Sequence, residues 1–295
     1  MATKLVLSVK LDAIFRLFFG DERNLEFLTG LLQSILDIPP EDYDEVEILD
    51  PHLLREHVGD KLGIIDLKIK TKSKKIVHVE VQRTIPLEIR ERLIYYAAKL
   101  ITEQVGIGDD YDKIMRVISI IIAEEEMIPD SSRYHHRFRL SDLKAGVEYT
   151  DLIEINVVEL SKLPQESDGT SLCDWAKFIA AETEEELSMA AETNVQIGRA
   201  VVKLRELSAD ERARDLAERR EKALRDERSR LRGAKLEGRN EGRVEGIEVG
   251  RTEGIRDVAR NALDMNMSVE AIAMLTCLSV TEIEEIRAQQ QTKQG

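Results

Sequence analysis

Two carboxylates lie where acids are costly. Asp66 is the one acid of the run Gly63 to Ile69, among Ile64, Ile65, Leu67 and Ile69, and Glu80 is the one acid of the run Ile76 to Gln82, among Val77, Val79 and Val81. A carboxylate taken into such surroundings must be paired, protonated or bound to a cation. Adjacent strands carrying these runs could bring both acids within reach of one ion. Oxygen donors and a site that leaves room for water suit Mg²⁺, with Mn²⁺ or Ca²⁺ as substitutes. Residues i and i+2 of a strand share a face, which puts His78 and Gln82 beside Glu80 and Lys68 on the side of Asp66. An ammonium at Lys68 would supply positive charge next to an anionic substrate. Strand acids also face solvent on half-exposed sheets, and from these residues alone that reading stands beside the first.

The elements that would position them follow from periodicity. Apolar residues recur at three- and four-residue spacing from Leu11 to Ile35, interrupted at Gly20-Asp21, which predicts two helices stopped before Pro39-Pro40. Glu45 to Leu49 reads as a short strand. Leu62 to Thr71 and Lys75 to Gln82 form a hairpin signal around Lys72-Ser73-Lys74. A helix is expected over 87–105, then buried strands over 113–123 and 152–160. The order of helices, strand, hairpin, helix, strand and strand is α/β with a mixed sheet, closing a domain at residue 165. Leu172 to Arg232 reads as continuous helix, so 166–235 is a charged helical region. Gly238, Gly242, Gly246, Gly250 and Gly254 then recur every fourth residue across 236–256. That spacing holds them on one slowly drifting helix face, which fits either self-association or a connector. Two short helices over 257–295 resemble a helix-turn-helix, the second opened by a Ser279/Glu282 capping box.

Composition narrows the chemistry. The 295 residues are 34% charged, with a formal net charge of −14, so coating nucleic acid by bulk charge is excluded. The window Lys61 to Lys99 reverses the sign, with ten Lys/Arg against four acids, and offers a place to hold phosphates. Cys173 and Cys277 are too few for a disulfide framework or a cysteine-based metal site, and the five histidines lack zinc spacing. No apolar run approaches the length of a membrane span, and no secretory signal is legible, so a cytoplasmic protein is expected.

The pattern of two hydrophobic residues and Asp66, a charged turn, and Glu80-Val81-Gln82 leading toward a helix resembles the PD-(D/E)xK nucleases. More narrowly it is similar to their transposase-related branch, the Rpn recombination-promoting nucleases. Asp12 to Phe18, Arg92 with Tyr95-Tyr96, Glu159 to Leu163 and the glycine-repeat tail extend the resemblance over nearly the whole chain. It implies a restriction-endonuclease-like core with an all-α C-terminal extension, and metal-dependent hydrolysis of double-stranded DNA in recombination, mobile-element movement or defence. By position, Asp66, Glu80 and the Val81 carbonyl would hold the metal. Gln82 stands where the superfamily has lysine, and an amide supplies neither charge nor a proton acceptor. Asp12, Arg92 and Tyr95 would touch DNA or support the ligands. A homo-oligomer through the C-terminal helices is expected. The alternative is a catalytically impaired nuclease fold serving as an oligomeric DNA-binding or regulatory scaffold.

Overall fold

The computed structural model describes residues 7–36, 38, 40–43, 45–53 and 65–294. The chain divides into two compact units, Met1–Lys222 and Ala223–Gly295.

In the first unit, α1 (Asp12–Phe19) buries Ala13, Ile14, Phe15, Phe18 and Phe19, and α2 (Leu25–Ile35) buries Phe27, Leu28, Leu31, Leu32 and Ile35. These are the stripes that the three- and four-residue spacing requires. Gly20 ends α1 and donates its N–H to the Arg16 carbonyl. A Cβ there would lie 2.5 Å from that oxygen and 3.1 Å from the Leu67 side chain, so glycine lets the end of α1 approach the residue next to Asp66.

Six strands form one sheet in the order β1-β2-β3-β4-β6-β5: β1 (Glu47–Leu49), β2 (Leu67–Lys70), β3 (Ile76–Gln82), β4 (Val117–Ala123), β5 (His135–Ser141) and β6 (Glu148–Glu159). β1, β2 and β3 pair antiparallel, β3, β4 and β6 pair parallel, and β5 closes the far edge antiparallel to β6. The β2–β3 turn places Lys74 at φ 57°. Joining parallel β3 to β4 requires a crossover, supplied by α3 (Ile89–Thr102), whose Leu93, Ala97 and Leu100 pack against β3, β4 and β6 in two apolar clusters. β4 is buried throughout, as a central parallel strand must be.

Two expectations need correction. β5 was not legible in the sequence: it is a polar edge strand, His-His-Arg-Phe-Arg-Leu-Ser, with neither clean alternation nor an apolar run. The helix expected over 172–232 is broken into α4 (Ser171–Ala180), α5 (Glu184–Thr193), α6 (Val195–Ala209) and the start of α7 (Glu211–Asp264). Local caps make the breaks. The Thr183 hydroxyl accepts from Glu186 N–H while the Glu186 carboxylate accepts from Thr183 N–H, and Asn194 and Asp210 accept from Gln196 and Ala213. Helices α4 to α6 belong to the sheet unit. Trp175 and Phe178 of α4 join Phe18, Phe19 and Phe27 in one aromatic core.

In the second unit the rest of α7 runs through the glycine series, and a Cβ at Gly238, Gly242, Gly246, Gly250 or Gly254 would meet nothing within 4 Å. α8 (Val269–Thr276) and α9 (Val280–Gln294) fold against the end of α7 around Ala259, Ala262, Ile272, Ile283 and Ile286. Cys277 takes the left-handed position between them at φ 59°, and Ser279 and Glu282 make the reciprocal cap expected of them. Among the described residues no helix is long and apolar enough to cross a membrane.

Candidate active site

Register sets the site. Leu67 pairs with Val79 and Lys68 with His78 across the β2–β3 hairpin, so continuing the ladder by one residue places Asp66 opposite Glu80. Directly opposed residues of an antiparallel pair share a face. Asp66 Oδ2 accepts the Val81 N–H at 2.9 Å, which ties the acid to the strand that carries its partner. The N–H and C=O of one strand residue face the same edge, so the Val81 carbonyl also turns toward Asp66.

Both acids are nearly closed off from solvent, Asp66 at 8% and Glu80 at 4% exposure. Burial pushes Asp66 up to about 6; the Val81 N–H and the Arg16 guanidinium oppose this, Asp12 adds to it, and Arg220 opposes it. Burial first, and then the charge on Asp66, push Glu80 up to about 8, against the pull of Arg92 and the Gln82 amide. Near neutrality the pair therefore keeps one proton between two carboxyl groups. Gln82 Nε2 donates to Glu80 Oε2 at 3.2 Å, Arg92 Nη2 lies 3.7 Å from the same oxygen, and Glu80 Oε1 is buried with no hydrogen-bond partner.

A ring of charge surrounds the pair. On α1, Arg16 Nε lies 3.8 Å from Asp66 Oδ1 and Arg16 Nη2 3.5 Å from Asp12 Oδ2. Arg220 Nε, from the first turns of α7, lies 2.7 Å from Asp12 Oδ1. On α3, the Arg92 guanidinium stands 5.9 Å from the Tyr96 ring centre.

The structure thus brings together Asp66, Glu80, Gln82, the Val81 backbone, Asp12 and Arg92. Lys68 is different. It shares the face, but its ammonium is bound at 2.9 Å by Glu103 beyond the end of α3, and the cations acting most strongly on the two acids are arginines. Tyr95 points outward at 42% exposure; its neighbour Tyr96 is half-buried and feels the charges of Arg92, Glu80 and Asp66. His78 is fully buried, its Nδ1 3.2 Å from Ser119 Oγ, and desolvation lowers its pKa to about 3, so it carries no charge to the site. Half of the positive window is also spent internally. Lys68, Lys72, Lys75, Arg83 and Arg92 are each ion-paired to a carboxylate, while Lys61 lies outside the described residues.

Arg16 and Arg220 were missed at the sequence level. Arg16 follows Asp12 by four residues on one helix face, a signal that was present. Nothing in the sequence pattern links Arg220 to Asp12, 208 positions before it.

The donor set suits a hard cation. Two buried oxygen acids repel one another, one oxygen is orphaned, and a carbonyl faces the same edge. Among the described residues no group of three or more His, Cys, Asp or Glu side chains is placed to hold an ion, so the protein's share would be two carboxylates and a backbone oxygen.

A mixed sheet carrying its acids on a hairpin and flanked by helices defines a nuclease-fold protein. The profile of the PD-(D/E)XK nuclease family transposase matches residues 9–234, and the chain belongs to that family. Comparison with curated proteins and with solved structures found no match.

Proposed function

We propose that the protein is a metal-dependent DNA endonuclease that hydrolyses phosphodiester bonds in double-stranded DNA, and that it acts in recombination, mobile-element movement or defence. The observation that carries this reading is the Asp66–Glu80 pair, two buried acids opposed across the β2–β3 hairpin with one carboxylate oxygen left without a hydrogen-bond partner. Asp66, Glu80 and the Val81 carbonyl would hold a divalent ion, Mg²⁺ first and Mn²⁺ or Ca²⁺ as substitutes. Such an ion would supply polarisation of the scissile phosphate and a lowered pKa for a bound water.

The chain's own residues do the rest. Val81 N–H fixes the orientation of Asp66, and the Gln82 amide and Arg92 hold Glu80. Gln82 is a donor that orients a ligand, and it accepts no proton. The free thiols, Cys173 buried and Cys277 exposed, suit a reducing cytoplasm. We assign self-association to the part of α7 that carries the glycine series, where a Cβ would meet nothing within 4 Å and Leu236, Val244, Ile247 and Val258 are exposed; light scattering at micromolar concentration should give a mass above that of one chain.

Gln82 is also what favours a second reading, a catalytically impaired scaffold that binds DNA without cutting it. Plasmid cleavage across Mg²⁺, Mn²⁺ and Ca²⁺ separates the two. Cleavage lost in both Asp66→Ala and Glu80→Ala supports the nuclease. Cleavage that persists in both removes this site from the reaction, and salt-sensitive binding without cleavage selects the scaffold.

A further inference from the structure

Three carboxylates and three guanidiniums meet at the site: Asp12, Asp66 and Glu80 with Arg16, Arg92 and Arg220. With all six groups charged, their formal charges cancel. A divalent cation held by Asp66 and Glu80 would leave a surplus of two positive charges. A surplus of that sign, beside acids that cannot themselves attract an anion, is what a phosphate diester would neutralise.

Two of the three guanidiniums are fixed by the core. Arg16 lies between Asp12 and Asp66 on α1, and Arg92 rises from α3 with its Nε buried. Arg220 arrives from outside the α/β sheet. Ala213 and Ala217 of α7 are 2% and 4% exposed, and Arg220 follows Ala217 by three residues, on the same face of the helix. Small buried alanines let the α7 backbone come close, and the next residue on that face carries a long cation to Asp12 at 2.7 Å. Its charge reaches Asp66 as well. A guanidinium has five donors in a planar fork, enough to hold a carboxylate and a phosphate oxygen together.

We propose that Arg220 is a phosphate-binding residue of this site, delivered by the first turns of α7, and that it supplies the positive charge that Gln82 does not. The assignment rests on the nuclease reading above and extends the substrate-binding surface beyond the α/β sheet to the C-terminal helix.

The test is equilibrium binding of a fluorescent DNA duplex to the full-length protein in Ca²⁺, titrated at several salt concentrations. The variants are Arg220→Gln, Arg220→Lys and, as control, Arg219→Gln, whose side chain is exposed on another face of the same helix. Loss of one phosphate contact flattens log K against log salt by about 0.9 and weakens binding roughly tenfold. Arg220→Gln should show both changes. Arg220→Lys should keep the slope, which shows that the charge matters and that the helix is still docked, and Arg219→Gln should match the wild type. An unchanged slope in Arg220→Gln, an equal loss in Arg219→Gln, or tighter binding in Arg220→Gln would each overturn the assignment. Absence of salt-sensitive binding by the wild-type protein would instead remove the DNA reading, and this inference with it.

Discussion

The sheet buries acids at two places and treats them in opposite ways. On β6, Glu154 is 1% exposed, yet both of its oxygens are used: Oε2 accepts Arg116 at 2.6 Å and Arg139 at 2.5 Å, and Oε1 accepts Asn156 Nδ2 at 2.8 Å. Burial there raises the pKa, but the Asn156 and Arg139 hydrogen bonds and the Arg116 charge outweigh it, and the group ends below its ordinary value. On β3, Glu80 is similarly enclosed, with its nearest guanidinium at 3.7 Å, an acid as its neighbour, one oxygen unpartnered, and a pKa pushed up to about 8. Both are buried glutamates on one sheet. Glu154 is a finished ion-pair network, and Glu80 is left short of positive charge. That shortfall is what supports the proposed cation site at Asp66 and Glu80.

Exchanging each acid for its amide should expose the difference. Glu80→Gln is expected to lower plasmid cleavage by about a thousandfold or more, the scale on which removing a charge from a transition-state site is felt, with little loss of stability. Glu154→Gln should leave cleavage per folded molecule within about twofold, and cost roughly 3 kcal/mol in denaturant unfolding, because two guanidiniums lose their buried counter-charge. Equal stability losses for the two variants would erase the distinction between the clusters.

The contrast was only partly visible beforehand. β-Branched runs around Asp66 and Glu80, and the charged turn between them, were enough to predict the hairpin, and the helical spacing of Leu93, Ala97 and Leu100 predicted α3. These are short-range patterns, and they carry most of the sheet. What escaped prediction depends on long-range partners. β5 is an edge strand whose polar residues are explained by the β6 network they join. The α4 to α7 breaks are made by side-chain caps inside a sequence of good helix formers. Arg220 reaches Asp12 through a packing of alanines that looks, in sequence, like any solvated helix.

A smaller effect sharpens the comparison through pH. For an acid whose folded pKa lies above its unfolded one, stability is fully present below the unfolded value and is lost as pH rises through the folded value. Asp66 and Glu80 are raised to about 6 and about 8. In a chelator the wild-type protein should therefore lose thermal stability steadily as pH rises through that window. Glu80→Gln, which needs no proton, should melt close to wild type at about pH 5 and a few degrees higher at about pH 9, on the usual scale of about 4 °C or less per kcal/mol for a unit of this size. Adding a divalent cation should narrow the gap at high pH by stabilising the wild type alone. Parallel melting curves for the two proteins across this range would place the raised pKa elsewhere.

The smallest expected effect concerns Lys68, which shares a face with the site without belonging to it. A strand advances about 3.3 Å per residue, so the step from Asp66 to Lys68 carries the lysine nearly 7 Å along β2, away from Glu80 and opposite His78. From there its ammonium meets Glu103, in surroundings where the lysine and glutamate side chains are 15% and 9% exposed. Lys68→Met should leave cleavage, and the cation concentration that half-saturates it, within about twofold, and should lower stability by about 1–2 kcal/mol through the loss of a charged hydrogen bond to a poorly exposed acid. Adding Glu103→Leu to Lys68→Met should recover part of that loss, since an apolar pair avoids burying an acid that has lost its ammonium. A hundredfold fall in cleavage that the second substitution does not repair would instead make Lys68 the cation of the site and leave Arg220 a helix-docking contact.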